Sequence, residues 1–239
     1  MSRFDDLLTV QALDTTIDQL RHRRANLPER TEAKNAEAKR QGLVAETAVA
    51  AAARDVVAGR QGGFEKDIAA SEVRIAEIDK KLYSGEVTAS RDLQAMTTEI
   101  AHIKVRVSKL EDSALEAMDE REPLDAAVAA LEAQAAGLEE LAGRLRAEIA
   151  SAESAIDAEL ATEQLQRSQA AAGVPADLLE EYERLRVRLG GIGAASLEHG
   201  TCMGCRMKLP ASELDRVRHE PPDTLVHCEQ CGRILVRLS

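Results

Sequence analysis

Residues 93–131, LQAMTTEIAHIKVRVSKLEDSALEAMDEREPLDAAVAAL, decide the fold of this 239-residue chain. Leu93, Ile100, Val107, Ala114 and Val128 fall on one heptad position, and Met96, Ile103, Leu110, Ala117, Leu124 and Leu131 on its partner. The alternation of three and four continues through Ala135, Leu138, Ala142, Leu145, Ile149, Ala152 and Ile156, with Arg121 the one intruder. Such a pattern predicts a long helix that buries a narrow seam against another helix.

Working backward, residues from about Phe4 to Leu82 read as one long helix, continuous or interrupted. Val10, Leu13, Ile17, Leu20 and Leu27 mark its seam near the start, and Ile68, Ile75, Ile78 and Leu82 near the end. Between them the seam is poor. A kink is expected at Pro28, and looseness around Gly62, because Gly59, Gly62 and Gly63 each cost a helix about 1 kcal/mol. Ser84-Gly85 is turn chemistry, and Ser90 can cap a new helix, which places a tip at about 83–90. The two arms are nearly equal in length, as an antiparallel hairpin requires, and each would span roughly 120 Å at 1.5 Å per residue. Folding at the tip sets the Ala-rich Val49–Ala58 stretch opposite Ala114–Ala130. Pairing between chains, giving a dimer or tetramer, is the alternative, so the chain is expected to be a monomer or homodimer.

Working forward, Gly173 ends the second arm and Pro175 opens a further helix with Leu178, Leu179, Tyr182, Leu185 and Leu189 on its apolar face. Gly190-Gly191 stops it. Ile192 to Leu197, Thr224 to His227 and Ile234 to Leu238 read as short strands. The expected fold class is therefore mostly α: a coiled-coil hairpin over residues 1–172, then a small helix and β zinc ribbon over 173–239.

That last part holds all four cysteines, Cys202-Met-Gly-Cys205 and Cys228-Glu-Gln-Cys231-Gly232. Two CxxC pairs at this distance are ligand spacing for one tetrahedral Zn2+. Four thiolates leave no coordination position for water, which makes the ion structural and argues against hydrolysis. His199, His219 and His227 lie near the pairs but are not needed, and no βαβ framework suggests thioredoxin-type chemistry. Gly204 and Gly232 fit the turns that aim backbone N–H groups at sulfur, with Arg206 and Arg233 placed to offset thiolate charge.

Composition narrows the function classes. The chain has no Trp, two Tyr and two Phe, too few large side chains for a wide globular core. Its net charge of −11 repels a phosphate backbone. Nucleic-acid contact would fall to Arg206, Lys208, Arg216, Arg218, Arg233 and Arg237, if they share a face, but the ribbon has no aromatic residue on which bases could stack. The carboxylate pairs Asp5-Asp6, Glu139-Glu140 and Glu180-Glu181 have no companion ligand and read as helix surface. The start lacks a cationic segment followed by an apolar one, and no apolar run is long enough for a bilayer, so a cytoplasmic protein is expected.

Leu82-Tyr-Ser-Gly-Glu-Val, Leu93-Gln-Ala-Met with Glu99, Pro175-x-x-Leu178-Leu-x-x-Tyr182-x-Arg184-Leu, and the Cys-x-Gly-Cys, Leu209-Pro and Cys-x-x-Cys-Gly-Arg-Ile-Leu235 elements together resemble the bacterial C4-type zinc ribbon family with an amino-terminal coiled-coil hairpin. Val236 departs from it, since the family tends to carry an aromatic residue there. The resemblance implies a non-enzymatic adaptor with protein partners in transcription or secretion, links to RNA or DNA, and metal ligation by Cys202, Cys205, Cys228 and Cys231.

Overall fold

The computed structural model describes residues 3–221 and 224–237, in the order α1 (Arg3–Ala25), α2 (Pro28–Tyr83), α3 (Ser90–Ala172), α4 (Ala176–Arg188), β1 (Ala194–Glu198), β2 (Thr201–Cys202), α5 (Ala211–His219) and β3 (Ile234–Arg237). The first helical stretch is interrupted next to Pro28, where the sequence reading put a kink. Asn26 and Leu27 separate α1 from α2, and Pro28 is the first residue of α2, where its missing N–H and fixed φ are harmless. Helix α2 ends at Tyr83 and α3 begins at Ser90.

The chain divides into two compact units, Glu32–Arg144 and the combination of Met1–Thr31 with Leu145–Ser239. In the first, α2 and α3 form an antiparallel coiled coil. Every heptad position of α3 read from the sequence is buried or half-buried. Helix α2 runs without interruption through Gly59, Gly62 and Gly63, the stretch where looseness was expected. Its seam is continuous as well, through Ala36, Arg40, Leu43, Thr47, Ala50, Arg54, Val57, Gln61, Phe64, Ile68, Ser71, Ile75, Ile78 and Leu82, all at least half-buried. It looked poor because one heptad column holds Arg40, Thr47, Arg54 and Gln61. Each of these is satisfied. Arg40 reaches Glu139 at 3.0 Å, Thr47 donates to the Leu43 carbonyl, and Arg54 lies 3.8 Å from Asp125. Gln61 accepts a 2.9 Å bond from Arg121, the intruder in the opposite seam. A polar layer of this kind fixes register, because sliding the helices would strand its members without partners.

Cross-arm ion pairs recur in one sense among the described residues, with arginine on the first arm and a carboxylate on the second. In the outer unit they are Arg40–Glu139, Arg54–Asp125, Arg60–Glu120 and Arg74–Glu99. In the other they include Arg23–Glu159, Arg24–Glu153, Arg24–Asp157 and Arg30–Glu153.

In that second unit, α1 and the last part of α3 pack through Ile17, Leu20, Leu27, Ile156 and Leu160. The strand order is β2-β1-β3, with β1 antiparallel to β2 and parallel to β3. His199 and Gly200, with φ of 50° and 77°, form the two-residue turn between β1 and β2. Both faces of this small sheet are covered. Ala194, Ile234 and Val236 join Phe4, Leu7, Val10, Val174, Leu178, Tyr182 and Leu185 in one core. Ala195 and Leu235 turn the other way, onto Cys202, Leu209, Val217, Val226 and Cys228. The alternation of strand side chains thus splits one short sheet between a helical core and a cysteine core. Thr224 to His227 is not a strand: it contributes one isolated bridge, His227 to Ile234. Leu238 lies outside the described residues. Among the described residues, no helix is long and apolar enough to cross a membrane.

Candidate metal centre

The two CxxC segments fold into matching knuckles. The N–H of Arg206 donates to the Cys202 carbonyl, and that of Gly232 to the Cys228 carbonyl, both at 2.7 Å. One residue further on, Met207 and Arg233 carbonyls accept from the Cys202 and Cys228 N–H groups at 3.0 and 2.9 Å. Closing such a turn takes a left-handed residue. Gly232 adopts φ 72° freely, whereas Arg206 does so at φ 58° against its own Cβ. Gly204 is needed for a different reason, since a Cβ there would meet Arg233 Cδ at 2.5 Å and Ala195 Cβ at 2.9 Å.

The four Sγ atoms lie within 4.8 Å of one another, with Cys202 and Cys228 buried and Cys205 and Cys231 half-buried. Cys202 to Cys231 is 3.9 Å and Cys205 to Cys228 is 4.0 Å. Those separations are far beyond a disulfide bond and match the edge of a tetrahedron with metal–sulfur bonds of about 2.3 Å, roughly 3.8 Å. The residues present therefore fit Zn2+, which ties the two knuckles together when bound. Without metal, burial raises the Cys202 thiol and pushes Cys228 to about 12, despite N–H groups of Gly204 and Cys205 at the first and of Gln230 and Cys231 at the second. At Cys231 burial is outweighed by the backbone and side chain of Arg233, which bring it to about 7. The histidines near the pairs are occupied elsewhere or exposed: His219 Nδ1 donates to the Asp215 carbonyl, His227 lies 3.6 Å from Glu181, and His199 forms the hairpin turn.

The six basic residues of the head do not act alike. Arg237 donates to the carbonyls of Val217, Glu220, Pro221 and Thr224, and Arg233 to those of Ile192 and Leu189, so both are built into the structure. Arg216 pairs with Glu229 at 2.7 Å. Arg206, Lys208 and Arg218 are exposed, and Met203 and Met207 are exposed beside the first two.

Besides Gln61 of α2, three buried polar residues escaped the sequence reading. Gln11 accepts from the N–H groups of Gly193 and Ala194 at 2.7 and 3.2 Å and donates to the Gly191 carbonyl at 3.1 Å. Asp14, 4% exposed, accepts from the Tyr182 hydroxyl at 2.7 Å and from Arg167 at 3.2 Å. Burial, with Asp14 alongside, holds the Tyr182 phenol well above its ordinary value of 10.0. Glu213 of α5 accepts from the Glu229 N–H at 3.1 Å and so anchors the second knuckle. The available signal was positional. Gln11 and Asp14 lie on the same helical stripe as Leu7, Val10 and Ile17, where a polar residue needs a buried partner.

A helical hairpin carrying a four-cysteine ribbon defines a class of protein, a zinc ribbon presented by a coiled coil. This chain belongs to the CT398-like coiled coil hairpin domain family, whose model matches residues 10–190, and a C4-type zinc ribbon domain matches residues 201–235. Two uncharacterized Mycobacterium tuberculosis proteins, Rv2229c and MT2288, are each 29% identical to it, over 98% of this chain and 94% of theirs. A solved Mycobacterium smegmatis structure shares the fold at a TM-score of 0.85 with 23% identity, covering 99% of this chain and 98% of that one. CT398 from Chlamydia trachomatis does so at 0.65 with 21% identity and the same coverage. HP0958 from Helicobacter pylori does so at 0.52 with 18% identity, covering 98% and 97%.

Proposed function

We propose that this protein is a non-enzymatic cytoplasmic adaptor that binds protein partners through its helical hairpin and a zinc-stabilised head. The observation that carries the reading is the closed thiolate quartet. With Sγ–Sγ edges of 3.9 and 4.0 Å and four protein ligands, a bound Zn2+ keeps no vacant position at which to activate water. What the metal shapes is a surface, on which Met203, Arg206, Met207 and Lys208 stand exposed.

The second reading is a nucleic-acid-binding regulator, favoured by the exposed cations Arg206, Lys208 and Arg218. It is weakened by Arg216, Arg233 and Arg237, whose guanidiniums are committed within the protein. Affinity capture with the zinc-loaded chain, followed by reconstitution with each purified candidate, tests both. A protein that binds directly and resists nuclease treatment supports the adaptor. Recovery of nucleic acid alone, with affinity falling steeply as salt rises, would replace the adaptor with the regulator.

A further inference from the structure

Residues that weaken a helix stand at one level of the coiled coil on both of its members. On α2 they are Gly59, Gly62 and Gly63. A Cβ added at any of the three meets nothing within 4 Å, and none has a positive φ, so neither close packing nor a turn conformation calls for glycine there. On α3, Pro123 lies inside the helix and is exposed. It has no N–H to give the Asp119 carbonyl, so the ladder loses a bond there. Cross-arm contacts set the level. Arg54 lies 3.8 Å from Asp125, Gln61 accepts from Arg121 at 2.9 Å, and Arg60 pairs with Glu120. Pro123 therefore stands level with the stretch from Arg54 to Gln61, which holds Gly59 and adjoins Gly62 and Gly63. The apolar seam is broken at the same place, because Gln61 sits between Val57 and Phe64, and Arg121 between Ala117 and Leu124. All these residues belong to one compact unit.

We infer that this level is a hinge, at which the tip-bearing part of the hairpin bends against the rest of the coiled coil. Glycine and proline are the residues least favourable to a helix interior, and placing them side by side leaves neither helix to stiffen the other. Long hydrogen-bonded side chains such as Arg54, Arg60 and Arg121 follow a change in crossing angle, whereas interlocked apolar ones resist it. The polar pairs thus keep the arms joined while the backbones tilt. Tyr83 lies about 30 Å beyond Gly63 along α2, so a bend of about 20° carries it through about 10 Å. Its side chain is 83% exposed, and the hinge lets it sweep a range of positions. This motion is a property of the hairpin alone and does not depend on what the protein binds.

The test is measurement of amide residual dipolar couplings on the perdeuterated, full-length, zinc-loaded chain, weakly aligned in a stretched gel. Couplings from residues 36–57 and 126–144 are expected to fit one alignment tensor, and those from 66–82 and 92–118 a second with a lower degree of order. Gly59→Ala, Gly62→Ala and Gly63→Ala, combined with Pro123→Ala, should bring both sets onto a single tensor. Alanine fills open space at the glycines and restores the N–H at position 123, so this variant keeps the fold, which unchanged zinc content and circular dichroism verify. Amide exchange on the parent should show protection about tenfold lower at residues 62–66 than at 48–52 and 71–75. A single tensor for both sets in the parent would overturn the hinge. So would two tensors that the four substitutions leave unchanged, or equal protection along the three stretches of α2.

Discussion

Replacing Gln11 by Ala tests how the head is held to the first helix. Its side chain is the partner of the Gly193 and Ala194 N–H groups, two donors that the sheet does not use and that lie where Gly193 packs too tightly for water. A Cβ built at Gly193 would already meet the Tyr182 carbonyl at 2.7 Å and the Arg186 nitrogen at 3.0 Å. Each buried donor left unpaired costs about 1–3 kcal/mol, so the variant should lose on the order of 3–4 kcal/mol locally. A single unfolding midpoint is a poor readout for a chain with two compact units, so hydrogen exchange is preferable. A loss of about 3 kcal/mol lowers protection roughly 150-fold, expected at Gly193 and Ala194 and absent from helix α2. Gln11→Glu keeps the acceptor and should retain most of that protection. If Gln11→Ala leaves both amides protected to within threefold of the parent, the bond does not hold the sheet and the reasoning fails.

Tyr182→Phe removes the hydroxyl that donates to buried Asp14 and should destabilise the protein by about 1.5–3 kcal/mol at neutral pH. Because the folded-state phenol titrates above its ordinary 10.0, the Tyr contribution is complete below pH 10 and is lost as pH rises further. The gap between parent and variant in denaturant titrations should therefore shrink by about 1.4 kcal/mol per pH unit above that point. Native mass spectrometry should find one zinc per chain, and chelation or Cys228→Ser should remove on the order of 10 kcal/mol from the ribbon while leaving most helical circular dichroism in place; a metal-free ribbon that retains its protected amides would contradict this. Arg206→Gly should relieve left-handed strain and raise the ribbon's resistance to chelator by roughly 0.5–1 kcal/mol, whereas Gly232→Ala at the matching position should lower it by about 1–2 kcal/mol.

Much of this architecture was legible because heptads and CxxC pairs are local patterns. The α3 seam could be read residue by residue since apolar side chains occupy it almost without break. The α2 seam was hidden by Arg40, Arg54 and Gln61, which hold seam positions through pairings with residues 60 to 99 positions away. Helix α5 was overlooked for a similar reason. It has nine residues, and of its two buried side chains, Glu213 and Val217, one is a carboxylate, which leaves too little apolar periodicity to read. The expected strand at Thr224 to His227 has the right composition, but only His227 finds a bridge partner. Arg233 and Arg237 could not be distinguished in sequence from free surface cations, because what claims them is backbone carbonyls brought close by the fold.

The direction of the cross-arm ion pairs has a consequence for assembly. Arginine comes from the first arm and carboxylate from the second at the crossings named from Arg24–Asp157 to Arg74–Glu99, so the arms are complementary halves and not interchangeable copies. Two second arms set side by side would oppose acid to acid, and two first arms base to base. The opposite sense appears at Arg167–Asp14, near the open end of the hairpin, where it marks polarity as well as partner. Supplied as separate peptides, residues 28–83 and 90–172 should therefore associate one to one in preference to either associating with itself. Such a pair would make this hairpin a source of matched, directional fragments for split-protein reassembly.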